Sequence, residues 1–189
     1  MRKAIMGAVL LMMFSGSAQA LPIVLGSSQV YGGHTYYVLS QSTWWDAETE
    51  AVALGGHLVT VGDQAENDWL MATFGSAALT IEGFWLGLSD VATEGTHVWT
   101  SGEPATYLHW FPGEPNNMDD EDYVHMYSPL YPGGTKSSYW NDIDGDWGGG
   151  SLQGLVEVPA VNGVPDPGSS LLLFGLGVAG LGAWRRRLG

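Results

Sequence analysis

The chain of 189 residues contains no cysteine. Small exported domains commonly rely on disulfides, and the ~2–4 kcal/mol that one bridge typically contributes is absent here. Positive charge is nearly as scarce, with six Lys and Arg against 20 Asp and Glu. Arg2 and Lys3 stand at one end and Arg185, Arg186 and Arg187 at the other, so residues 21–163 keep Lys136 alone against 19 acids, a formal charge of −18. That balance excludes nucleic-acid binding, which needs a basic footprint. It also makes the folded chain repel itself unless cations sit among the carboxylates. Acidic disorder is excluded in turn by 45% apolar and 12% aromatic residues, ample material for a core. Several enzyme signatures are missing: there is no nucleophile elbow, no phosphate loop and no zinc spacing among His34, His57, His97, His109 and His125. These histidines read as structural or surface residues. A hydrolase would need a distinguishable carboxylate pair, and none stands out among so many acids.

Both ends read as processing segments. Residues 1–20 carry a charged start (Arg2, Lys3), an apolar stretch from Ala4 to Phe14 and Ala18-Gln19-Ala20, the three parts of a secretory signal peptide cut after Ala20. At the other end Val164-Pro165-Asp166-Pro167-Gly168 precedes an apolar run and the Arg185–Arg187 cluster. The run of about 15 residues would span ~22 Å as a helix, short of a ~30 Å hydrocarbon core. The basic cluster implies a cytoplasmic C-terminus with the domain outside. Residues 164–189 resemble the PEP-CTERM sorting signal of Gram-negative bacteria, with Asp166 in place of the usual Glu. The resemblance implies removal by an exosortase and an association with exopolysaccharide. A plain single-pass membrane anchor is the other reading.

Between these ends, Val30-Tyr31 and His34–Leu39 read as strands around a Gly32-Gly33 turn. Thr43 caps a helix with Asp46 at N3 and a buried face of Trp44, Ala47, Ala51 and Leu54, ended by Gly55-Gly56. A strand over His57–Val61 follows. A second helix is capped by Asp63 with Glu66 at N3, turns Trp69, Leu70 and Phe74 inward, and stops at Gly75. Phe84–Leu88, Val98–Thr100, Tyr123–Tyr127 and Leu155–Val158 complete a mostly antiparallel sheet. Two helices followed by many strands and long loops predict an α+β domain.

The chemistry concentrates between Trp110 and Asp142. Glu114, Asn116, Glu121, Asn141 and Asp142 are hard oxygen donors among aromatics, with only Lys136 nearby as a cation. Such a set suits Ca²⁺, which takes about 6–8 oxygen ligands. Asp142, Asp144 and Asp146 do not make an EF-hand, since the required Gly and Glu positions hold Trp147 and Gln153.

Glu114-Pro115-Asn116, then Glu121-Asp122, then Trp140-Asn141-Asp142 resemble the C-type lectin carbohydrate-recognition domain. Gly55-Gly56-His57-Leu58 and Trp85-Leu86-Gly87-Leu88 are similar to further signatures of that family. The resemblance implies the C-type lectin-like fold and one Ca²⁺ held by Glu114, Asn116, Glu121, Asn141 and Asp142. A sugar would bind the ion through two vicinal hydroxyls while the same five residues hydrogen-bond it. The Glu-Pro-Asn form implies a mannose-type glycan. A second Ca²⁺ site would use Asp90, Glu94, Asn117 and Asp122, and Trp147, among glycines, is a candidate for stacking on a sugar. Tyr123 stands where the family places a cysteine, and Ala51 where its helix cysteine is expected. Two functions follow: Ca²⁺-dependent carbohydrate binding without catalysis by an exported surface or matrix protein, or a Ca²⁺-stabilised structural or adhesive domain that binds protein or ice.

Overall fold

A computed structural model describes residues 21–160. The signal segment (1–20) and the sorting segment (164–189) lie outside the described residues, as do residues 161–163. The fold is α+β. Its strands are β1 (Val24–Tyr31), β2 (His34–Ser42), β3 (His57–Leu58), β4 (Phe84–Ser89), β5 (Val98–Trp99), β6 (Tyr123–Met126), β7 (Trp140–Ile143) and β8 (Leu152–Pro159). They form one eight-stranded sheet in the order β1-β2-β8-β4-β6-β7, with β3 paired to β8 and β5 to β4. Only β4–β8 is parallel among these strand pairs. The two long helices are α1 (Trp44–Ala53) and α2 (Gln64–Phe74).

Both helix starts follow their capping residues. Thr43 Oγ1 accepts from the Asp46 amide, and the Asp63 carboxylate accepts from the Glu66 amide, each satisfying a donor the helix cannot. Helix α1 presses Ala47 and Ala51, both fully buried, against Leu39, Leu58, Trp85 and Val156. On a second core, Val59, Phe84, Leu86, Trp99 and Trp140 pack with Leu70 and Phe74 of α2. Buried indoles need acceptors, and they find them: Trp44 Nε1 donates to the Leu86 carbonyl, Trp85 Nε1 to Ser42 and Trp140 Nε1 to Asn67 Oδ1.

Three strand readings are corrected. The predicted strand His57–Val61 stops at Leu58, because Val59 changes partners: its N–H bonds Leu155 while its carbonyl accepts from Gly87. The strand at Val98–Thr100 ends at Trp99. Trp140–Ile143, read only as a ligand segment, is a buried strand paired along β6. Asn and Asp are depleted in strands, so its pattern does not advertise one.

Noncovalent contacts fasten Tyr123 and helix α1 to their neighbours. Tyr123 lies 4.7 Å from the Trp44 ring and accepts from Trp45 Nε1 at 2.8 Å. On α1, Glu48 accepts from both His57 Nδ1 and the Leu58 amide, fastening the helix to β3.

Candidate functional site

The loop between β5 and β6 is anchored before it reaches its first acid. Trp140 N–H donates to the His109 carbonyl and Phe111 N–H to the Trp140 carbonyl, both at 2.9 Å. Thus β7 carries Asn141 and Asp142 directly beneath Glu114 and Asn116. The side chain of Asp142 is 1% exposed. Its two oxygens accept from the amides of Asn116 (3.1 Å) and Asn117 (2.6 Å). Asn116 Oδ1 and a Glu121 oxygen both accept from the Met118 amide, and the Glu121 amide donates to Asn117 Oδ1 at 2.7 Å. Asn116 Nδ2 donates to Glu114, and Asn141 Nδ2 to the Asp142 carbonyl. One hydrogen-bonded network therefore gathers all five predicted residues. Asn117, Asp119 and Asp120 turn the loop with positive φ, a conformation Asn and Asp tolerate best after glycine.

The electrostatics point the same way. Desolvation, followed by the charge of Asp142, pushes the Glu121 carboxyl up to about 7. Desolvation also raises Glu114, with Asp142 adding to it and Lys136 opposing. These oxygens resist ionisation next to one another, which is the condition a dication relieves. The donor set fits Ca²⁺: three carboxylates and two amides, all oxygen ligands, with no cationic side chain inside the network. Lys136 stands apart, its Nζ 4.6 Å from the Phe111 and Tyr127 rings and 4.8 Å from Tyr131.

The second predicted group is distributed differently. Glu94 and Asp122 do come together, joined by Asp120, with ligand oxygens within 4.8 Å of one another. Asp120 was not among the predicted residues; it comes into range through the left-handed turn, which leaves no mark in spacing. Asp90 lies beside them at the end of β4, and its amide donates to the Asp122 carbonyl. It is buried, with Oδ2 accepting from the Gly95 amide and Oδ1 without a protein partner. Asn117 does not join this group by any hydrogen bond; its side chain serves the first network.

Trp147 is 45% exposed. It opens a short glycine-rich turn, Trp147–Gly150, and faces a groove of about 480 Å³ shared with Met118, Asp119, Glu121, Asp144, Asp146 and Gly148. The histidines take structural places. His125 is fully buried with Nδ1 donating to the Glu82 carbonyl, His109 stacks between Tyr107 and Tyr139, His34 pairs with Glu157 and His57 with Glu48, while His97 packs on Trp110. Among the described residues no helix is long and apolar enough to cross a membrane.

Comparison with known proteins places this geometry. The lectin C-type domain family matches residues 40–147, and a VPDSG-CTERM motif matches residues 163–188. The latter is an exosortase-type signal related to PEP-CTERM, and its name carries the Asp that stood out at position 166. A Perlucin-like protein of Mytilus galloprovincialis is 33% identical over 101 residues, covering 53% of this chain and 61% of that protein. An alpha-N-acetylgalactosamine-specific lectin of Patiria pectinifera is 34% identical over 119 residues, 60% of this chain and 68% of that one. The cow carbohydrate-recognition domain of CD23, solved in the presence of a GlcNAc2Man3 oligosaccharide, superposes with a TM-score of 0.57 at 26% identity, covering 75% of this chain and 99% of that one. A calcium-independent type II antifreeze protein shares the fold at a TM-score of 0.58 and 22% identity, over 76% of this chain and 99% of that one.

Proposed function

The chain belongs to the C-type lectin domain family, and from that premise we propose that it is an exported protein binding mannose-type glycans, exopolysaccharide included, through Ca²⁺ and without catalysis. One observation carries this: Glu114, Asn116, Glu121, Asn141 and Asp142 form a single network made only of oxygen donors. The ion would supply a Lewis-acidic centre for two vicinal sugar hydroxyls. The residues around it supply the hydrogen bonds, carboxylate oxygens accepting from hydroxyls and the amide groups of Asn116 and Asn141 donating to them. The relatives' names point to different sugars, so the choice rests on this chain's own Glu114-Pro115-Asn116, the mannose-type form. Asp90, Glu94, Asp120 and Asp122 form an auxiliary cation site, with Asn117 supporting the loop from the first network. Trp147 offers a stacking surface.

The sorting motif supports export and a place at the cell surface or in the matrix of a Gram-negative bacterium. Residues 164–189 would hold the protein in the inner membrane until an exosortase removes them.

The test is thermal unfolding of the full-length chain in detergent with EDTA, with Ca²⁺, and with Ca²⁺ plus mannose. A ligand that binds only the native state raises its midpoint by mass action. We expect a rise with Ca²⁺ and a further rise with mannose. The double substitution Glu114→Gln, Asn116→Asp should exchange the mannose response for one to galactose. A Ca²⁺ response with no sugar response in either protein favours the second reading, a Ca²⁺-stabilised structural or adhesive domain binding protein or ice. No response to Ca²⁺ overturns both.

A further inference from the structure

The groove between Met118 and Trp147 adjoins the first cation network. Glu121 lines it and also accepts from the Met118 amide inside the five-residue network. Its volume of about 480 Å³ falls within the ~300–1,000 Å³ of ordinary ligand pockets. Its walls are of two kinds. Trp147 and the 64% exposed Met118 are large apolar surfaces open to solvent, and an exposed indole presents a flat face to a sugar ring. Asp119, Asp144 and Asp146 also line it.

The charge of this groove is not compensated by the protein. Asp144 accepts from the Asp146 amide, and neither Asp119 nor Asp146 receives a side-chain hydrogen bond among the described residues. The lone lysine of residues 21–163 is held among Phe111, Tyr127 and Tyr131, outside the groove. A dication held by Glu114, Glu121 and Asp142 would leave Asp119, Asp144 and Asp146 without a cationic partner among the described residues.

We propose that this groove is a second sugar subsite and that it selects a cationic amino sugar. The inference rests on the sugar-binding reading above. The terminal residue of a glycan would occupy the ion, and the next would lie on Trp147 with its ammonium group toward Asp144 and Asp146. A free amine meets opposite charge there, an N-acetylated one meets none, and a uronate meets repulsion. The favoured ligand class is a de-N-acetylated, hexosamine-containing polysaccharide, and anionic polymers are rejected.

The experiment is calorimetric titration of the full-length chain in detergent, in saturating Ca²⁺, with mannose, with β-1,4-linked glucosamine disaccharide and with its fully N-acetylated twin. Exposed charge pairs contribute modestly, so two such contacts should favour the free amine by about fivefold. That preference should shrink in 0.5 M KCl, since exposed charges are screened over ~3–4 Å at such salt, and vanish in Asp144→Asn, Asp146→Asn with mannose affinity unchanged. Trp147→Ala should weaken both disaccharides more than it weakens mannose. Equal or tighter binding of the acetylated twin, or a preference that survives the double Asn substitution, overturns the proposal while mannose binding upholds the lectin reading. No binding of mannose or either disaccharide overturns both.

Discussion

At the scale of single residues, Asp142 carries two roles that substitution can separate. Its carboxylate accepts from the Asn116 and Asn117 amides as well as offering oxygens to an ion. Hydrogen bonds to a charged group contribute about 1.5–3 kcal/mol, and a buried donor left alone costs a similar amount. Asp142→Ala should therefore lower stability in EDTA by about 2–3 kcal/mol, measured by urea unfolding, and abolish the Ca²⁺ response. Glu114→Gln should weaken that response, through the loss of one ligand charge, with EDTA stability unchanged or slightly higher, because desolvation already pushes Glu114 toward its neutral form. His125 makes a pH prediction. Burial drives its imidazole down to about 4, with Nε2 unpartnered. Between that value and the ordinary ~6.5 the unfolded chain binds the proton and the folded one does not. Stability is thus lost as pH falls from about 6.5 toward 4, by roughly 2–3 kcal/mol from this residue. Glu121 and Glu66, both raised, act in the opposite sense: the empty protein loses their contribution as pH rises. Comparing His125→Phe with the parent in EDTA isolates the imidazole, and the variant should show the shallower acid limb.

At the scale of elements, the close approach of β4 to the chain after Leu58 is decisive. A Cβ on Gly87 would sit 2.4 Å from the Leu58 carbonyl oxygen, a backbone atom that cannot swing aside. Gly87→Ala should cost about 2–3 kcal/mol, the range of overpacked cores, read as a lower urea midpoint with an unchanged slope. Sequence showed this element well, since Phe84–Leu88 is a continuous apolar run. It also showed both helices, because Thr43 and Asp63 are capping residues with acids at N3 and an apolar period behind them. It did not show β7, whose Asn141 and Asp142 are unfavourable strand residues kept there by pairing with β6 and by the site above. Nor did it show the first residues of β1, where Val24 and Leu25 precede a bulge and a polar stretch. In the site, the five-residue set was legible because its order along the chain is distinctive. Asp120 was not, because only the positive φ of Asn117, Asp119 and Asp120 folds it onto Glu94 and Asp122. The groove acids were visible as residues, but their shared wall with Met118 was not.

At the scale of the whole molecule, one lysine among 19 acids in residues 21–163 means that repulsion is spread over the surface. Screening falls to ~3 Å at 1 M salt, so KCl should raise the unfolding midpoint by several degrees in EDTA and by less once Ca²⁺ is bound. Scanning calorimetry over both series checks this. A second whole-molecule feature is the place of β8. It pairs with β2, β3 and β4 at once, bonding residues 34–42 to residues 152–159 across most of the domain. Such distant pairings make folding slow, because loop closure must precede any reward. The sheet cannot close until its final strand is present. A chain threaded outward from its N-terminus would lack the pairings of β2, β3 and β4 to β8 until residues 152–159 had emerged. No oxidation step would be needed before or after that moment.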